Sequence, residues 1–164
     1  MLKVNNIKEA DNLVVDLGFA KTADFNGLKF EAVIKIVQTL SDYFNEFTSL
    51  KPIGFIGNGL IRNPDFVQKD PTVLAWVEGI DYEGASASVE ALCFVRFDEL
   101  DTDFLLAHEM CHVLDSNLGM ALSSDFGNAE LLADSWAEYK TSQNPSEVAV
   151  NAGKYIEEYY QKER

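Results

Sequence analysis

Between Phe30 and Phe47 the apolar residues fall at three- and four-residue steps: Phe30, Val33, Ile34, Val37, Leu40, Phe44 and Phe47. That spacing lays them along one face of a helix. The helical pattern begins at Asn26, with Asn26 or Asp24 as the cap, and "TSLKP" closes it at Pro52. The rhythm then changes. "PIGFIG" is a short apolar run bounded by Pro52 and the turn residues Gly57-Asn58-Gly59. After a polar loop with Pro64 and Pro71 come "TVLAWVEGI" and "SVEALCFVRF", separated by "DYEGASA". Both runs have strand length and are rich in β-branched and aromatic residues. They predict a small twisted sheet, mostly antiparallel, at least for this last pair.

Helical signals return in "DELDTDFLLAHEMCHVLDSNLG". Thr102 or Asp101 suits the cap, Asp103 the first turn and Gly119 the end. A second helix is expected over about 125–143, stopping at Asn144-Pro145, and a third from Ser146 to the C-terminus. The opening 20 residues look weakly structured, with "NLVVDLGF" as a short strand or a cap on the core. No internal repeat, low-complexity tract or linker divides the chain, and 164 residues suit one α+β domain over 1–164.

Charge narrows the function classes. A formal net charge of -14 disfavours nucleic acid and anionic membranes as partners, because phosphate contacts need clustered Lys and Arg. The N-terminus lacks an uninterrupted apolar signal core, and no run approaches the roughly 18 apolar residues of a membrane span. Two cysteines, Cys93 and Cys111, are too few for a disulfide framework. The expected setting is the cytoplasm or a virion. Oligomeric state is not written in the sequence.

The chemistry sits in "LLAHEMCHVLD". The chain has only two histidines, and both lie here, four residues apart, with Glu109 directly after the first. Residues i and i+4 share one helix face, so His108 and His112 project side by side, as two ligands of a tetrahedral zinc would. Glu109 points to the flank of that face, where a carboxylate can take a proton from water acidified by the metal. A lone match of this kind is often a plain helix, so further signals matter. Eighteen residues after His112, "NAELLADSWAEY" offers Glu130 as a third ligand, giving the His₂Glu set of a catalytic zinc site. Asp134, one turn later, can accept the free ring N–H of a ligating histidine. Against a merely solvated acidic face, both carboxylates are set among Leu131, Leu132, Ala133, Trp136 and Ala137, which predicts a largely buried helix. Asp125 and Glu138 are the next carboxylates in line as ligands. Between Arg96 and Lys140 there are ten Asp and Glu and no Lys or Arg, a field that favours a bound dication. Cys111 lies between the histidines and should face away from them, as a small core residue rather than a nucleophile.

"HEMCH" with "ELLAD" resembles the gluzincin branch of HExxH zinc metallopeptidases, whose second motif is a helix bearing Glu-x-x-(Ser/Ala)-Asp. The resemblance implies His108, His112 and Glu130 as zinc ligands, Glu109 as general base and Asp134 as the residue orienting the first histidine. It implies a zincin-like fold: an N-terminal helix backing the sheet, an active-site helix beneath it, and C-terminal helices completing the domain. The family often has Asn just before the ligand glutamate; here Ala129 stands there and Asn128 one step earlier. "ADFNGLKFEAVIKIVQTLSDYFNEF" also looks like small zincin-like domains of phage head-morphogenesis proteins. A metzincin would need Gly and a third histidine where Asp115 and Leu118 stand, and the Gly-x-Met-Glu-Asn of zinc aminopeptidases is absent. The expected function is therefore zinc-dependent endopeptidase activity on peptide or protein substrates. An edge strand, "LAWVEG" or "ALCFVRF", would pair with substrate backbone, and Tyr139, Tyr155 or Tyr82 would serve the oxyanion. The rival expectation is a non-catalytic zinc-containing phage or prophage structural module, in which Glu109 would be dispensable.

Overall fold

The computed structural model describes residues 3–83, 86–96 and 102–162, without the side chains of 81–83 and 86. The opening segment is a helix, α1 (Ile7–Asp16), where weak structure or a strand was expected. Asn6 caps it by accepting from Glu9 N at 2.9 Å, and Glu9 in turn accepts from Asn5 N. Ala10, Asp11 and Val14 form its buried stripe, a helical spacing that outweighs the β-branched Val14-Val15 pair. Gly18, at φ 80°, ends it. A polar strand absent from the sequence reading follows, β1 (Ala20–Asp24), and Asp11 Oδ1 then accepts from Phe25 N at 2.8 Å.

The long helix expected from Asn26 begins later, as α2 (Phe30–Glu46), because Asp24 accepts from Asn26 N and closes a turn instead of capping. Its buried face runs through Val33, Ile36, Val37, Leu40 and Tyr43. Next comes β2 (Ile53–Asn58). The polar loop after it holds two short helices, α3 (Gly59–Arg62) and α4 (Pro64–Lys69), capped by Asn58 and Asn63. The expected pair of strands is β3 (Ala75–Glu83) and β4 (Ser86–Phe94).

The sheet order is β1-β2-β4-β3. Only β3 and β4 are antiparallel; β1 with β2 and β2 with β4 are parallel, so the expectation of a mostly antiparallel sheet is corrected to a mixed one. The reason lies in the connections: α2 carries the chain back over the sheet between β1 and β2, as parallel pairing requires.

One sheet face and the helices share the main core. Packed there is α5 (Thr102–Ser116), which begins at the expected Thr102; the alternative cap, Asp101, lies outside the described residues. The single helix expected over 125–143 is two, α6 (Ala121–Phe126) and α7 (Ala129–Thr141), divided where Gly127 takes φ 95°. The last, α8 (Glu147–Lys162), starts as expected after Ser146, whose Oγ accepts from Ala149 N. Fully buried Trp136 of α7 donates through Nε1 to Tyr43 Oη at 2.9 Å, tying α7 to α2. Tyr160 of α8 donates to Leu114 O of α5. Among the described residues, no helix is long and apolar enough to cross a membrane.

Candidate metal centre

Helix α5 is buried on most sides. Leu106, Met110, Cys111, Val113 and Leu114 go into the core, and Cys111 sits there as expected, its thiol pushed up by burial and then by Asp115. The stripe that faces the cleft holds half-buried His108 and His112 and, on its flank, buried Glu109. The two Nε2 atoms stand 3.2 Å apart, with the rings nearly edge to face at 76°.

Glu130 reaches across from the first turn of α7. Its Oε2 lies 3.2 Å from His108 Nε2 and its Oε1 3.0 Å from His112 Nε2. Asp134, one turn on, accepts at 2.8 Å from His108 Nδ1. The structure thus brings His108, His112, Glu130 and Asp134 together. It corrects one expectation about them: the Glu130 and Asp134 side chains are 73% and 59% exposed, not embedded. The apolar residues of α7 fill its opposite face, with Leu132, Ala133, Trp136 and Ala137 buried, while Leu131 stands in solvent. The reserve carboxylates are engaged elsewhere: Asp125 accepts from Tyr155 Oη and Glu138 from Ser146 N.

The donor set fits a divalent cation on its own chemistry. Asp134 can only accept, so Nδ1 of His108 carries the proton and its Nε2 presents a lone pair. That lone pair faces a carboxylate oxygen of Glu130 at 3.2 Å, acceptor against acceptor, an arrangement that needs a cation or an extra proton between them. Zinc–nitrogen bonds of about 2.0–2.1 Å give tetrahedral edges of roughly 3.3 Å, close to the 3.0–3.2 Å separations found here. Among the described residues, His108, His112 and Glu130 form the one group of His, Cys, Asp and Glu placed to hold a metal, with ligand atoms within 4.8 Å of one another.

Glu109 completes the site differently. It is buried, and its Oε2 finds no hydrogen-bond partner among the described residues. Burial, and then the charge of Glu130, pushes its carboxyl up to about 8. Desolvation, and then the neighbouring His108, hold the His112 imidazole below its ordinary value.

These groups open on a cleft of about 910 Å³. Its walls are the Ala75–Ile80 stretch of β3, the cleft-facing stripe of α5 from Phe104 to Ser116, Met120 and the start of α7. Strand β3 is the sheet edge here, whereas β4 is paired on both sides, so "LAWVEG" rather than "ALCFVRF" borders the site. Tyr139 and Tyr155 are not in the cleft; they donate to Glu157 and Asp125. The Tyr82 side chain lies outside the described residues. Phe104, Ser116 and Met120 were missed from sequence. Phe104 and Ser116 are one turn before His108 and one turn after His112, a spacing that could have found them.

No protein-family model, curated protein or solved structure matches the chain. What stands is an α+β protein with a mixed four-stranded sheet and a two-histidine, one-glutamate cluster at the mouth of an apolar cleft.

Proposed function

We propose that this chain is a zinc-dependent endopeptidase of zincin-like fold that hydrolyses peptide bonds with Glu109 as general base. One observation carries the reading: two imidazole nitrogens and a carboxylate converge beside a buried, unpartnered glutamate, in a cleft bordered by an edge strand. His108, His112 and Glu130 would hold the ion. When bound, zinc supplies a Lewis acid that acidifies water and polarises a carbonyl. Asp134 keeps the His108 ring in one tautomer and orientation. Glu109 takes a proton from the attacking water and delivers it to the leaving amine. A nearby cation favours the ionised form of Glu109, which opposes the burial that raises its pKa without metal. The edge of β3, free among the described residues, offers backbone hydrogen bonds to an extended substrate.

The rival, a non-catalytic zinc-containing phage or prophage structural module, has no use for Glu109. A buried carboxylate without a partner is costly, and ligation does not require it. The two readings separate in Glu109→Gln, which keeps the size of the side chain and removes the base. The parent should hold about one zinc per chain, measured by mass spectrometry, and cleave unfolded casein. The variant should keep its zinc and lose hydrolysis by about 10²–10⁴-fold. Equal activity in the two would remove Glu109 from the chemistry; zinc in both with cleavage by neither would favour the structural module.

A further inference from the structure

Met120 is the single non-glycine among the described residues with a left-handed backbone, at φ 68°. That region crowds any side chain against its own backbone and is ordinarily left to Gly or Asn. Gly119 before it takes φ 63°, so two successive left-handed residues turn the chain from α5 into α6. The surroundings impose this. Met120 N donates to Asp115 O at 2.9 Å, and Gly119 N to Ser116 O at 3.0 Å. Buried Asp115 also accepts through Oδ1 from Ser123 N at 3.0 Å, fixing the start of α6. Strain of this kind persists only where the surroundings over-determine it, and it clusters at functional sites.

The Met120 side chain lines the cleft. Ser116 Oγ, one turn past His112, meets its Sδ at 3.7 Å, which sets the thioether at the His112 end of the site. Leu74, Ile80, Phe104 and Leu105 supply apolar wall. Among the described residues, the charged or titratable ones lining the cleft are His108, Glu109, His112 and Glu130, with no Lys or Arg. An acidic side chain entering here would meet the Glu109 carboxylate with no Lys or Arg among the described lining residues to pair with, and a basic one would lose its hydration against apolar walls.

We propose that the cleft selects an extended, uncharged peptide segment bearing a bulky apolar side chain, and that Met120 sets the size of the side chain accepted. This rests on the peptidase reading and names its substrate class. A flexible, polarisable thioether adapts to several apolar shapes, whereas its length closes the end of the cleft. The edge of β3, unpaired among the described residues, holds the segment extended, leaving alternate side chains to meet the wall.

The test uses peptides identical except for one central residue: Ala, Leu, Phe, Trp, Asp or Lys. Binding to zinc-loaded Glu109→Gln is measured by calorimetry, so hydrolysis plays no part, and kcat/KM is measured on the parent with the same set. Leu and Phe should bind at least about 10-fold more tightly than Asp and Lys, the worth of burying one large apolar side chain. Met120→Gly places glycine at a backbone conformation it prefers, so fold and zinc content should persist while the optimum moves towards Phe and Trp. Met120→Leu should keep the parent ranking. Equal affinities across the set, or an unchanged ranking in a folded, zinc-loaded Met120→Gly, would overturn the proposal. If the parent cleaves nothing but the Gln variant ranks the peptides as stated, the selective cleft stands and the peptidase reading falls. Cleavage without ranking leaves the peptidase and removes the selectivity; neither binding nor cleavage removes both.

Discussion

At the scale of single residues, the site depends on which atoms are left free. Asp134 uses one carboxylate oxygen to hold Nδ1 of His108, and that contact commits Nε2 to present a lone pair. Asp134→Ala should therefore weaken zinc binding by about 10–100-fold without abolishing it, because the three ligands remain. Competition with a fluorescent chelator measures this. An unchanged affinity would mean that Asp134, at 59% exposed, is only a surface charge resting against the ring. Glu109 is the complementary case: its Oε2 has no partner among the described residues, so nothing but a substrate, water or cation remains to compensate its burial.

At the scale of elements, the cluster depends on how two helices meet. The core-facing residues of α5 set its rotation, which turns His108, Glu109 and His112 towards the cleft. Helix α7 is located by Trp136 and started by Asn128, whose Oδ1 accepts from Leu131 N at 3.0 Å. Glu130 lies in that first turn, so the cap positions a candidate ligand as well as the helix. Asn128→Ala should cost about 1 kcal/mol in denaturant unfolding and also loosen zinc binding. Lower stability with zinc affinity intact would show that α7 packing alone places Glu130.

At the scale of the whole molecule, a buried acid in a chain of net charge -14 makes the metal-free protein sensitive to pH. Glu109 is raised from 4.5 to about 8 in the folded state. Its protonated form is the one the fold tolerates, so its contribution is fully present below about 4.5 and lost as pH rises through about 8. In chelator, Glu109→Gln and the parent should unfold at similar temperatures near pH 5. The variant should then be the more stable by several degrees at pH 9, taking about 2–4 °C per kcal/mol for a chain of this size. Thermal scans across that range decide it; a difference that does not change with pH would show that Glu109 is solvated in the folded protein. Zinc should shrink the difference, since a cation beside Glu109 favours its ionised form.

Local signals were legible wherever one stretch of chain contained the whole cause. The i, i+4 spacing of His108 and His112, the apolar period of α2, the strand runs of β3 and β4 and the Ser146 start of α8 needed no distant partner. Glu130 and Asp134 were legible as candidates because they also fall one turn apart on a single helix. Sheet pairing was not legible: β1 is short and polar, and its parallel partner β2 lies beyond the whole of α2. The exposure of Glu130 and Asp134 was misread because apolar neighbours in sequence occupy the other side of a helix in space. The left-handed Met120 depends on a backbone conformation held by the Asp115 carbonyl, while the Asp115 carboxylate fixes Ser123 N at the start of α6; the break at Gly127 is a backbone dihedral that apolar periodicity does not record. The sequence by itself thus determined the chemistry available, two histidines and three carboxylates at helical spacing. Only the tertiary structure decided which strand edge faces them, that Glu109 is buried with an unpartnered oxygen, and which apolar residues wall the cleft. Those properties come from contacts between segments far apart in the chain, and periodicity does not record them.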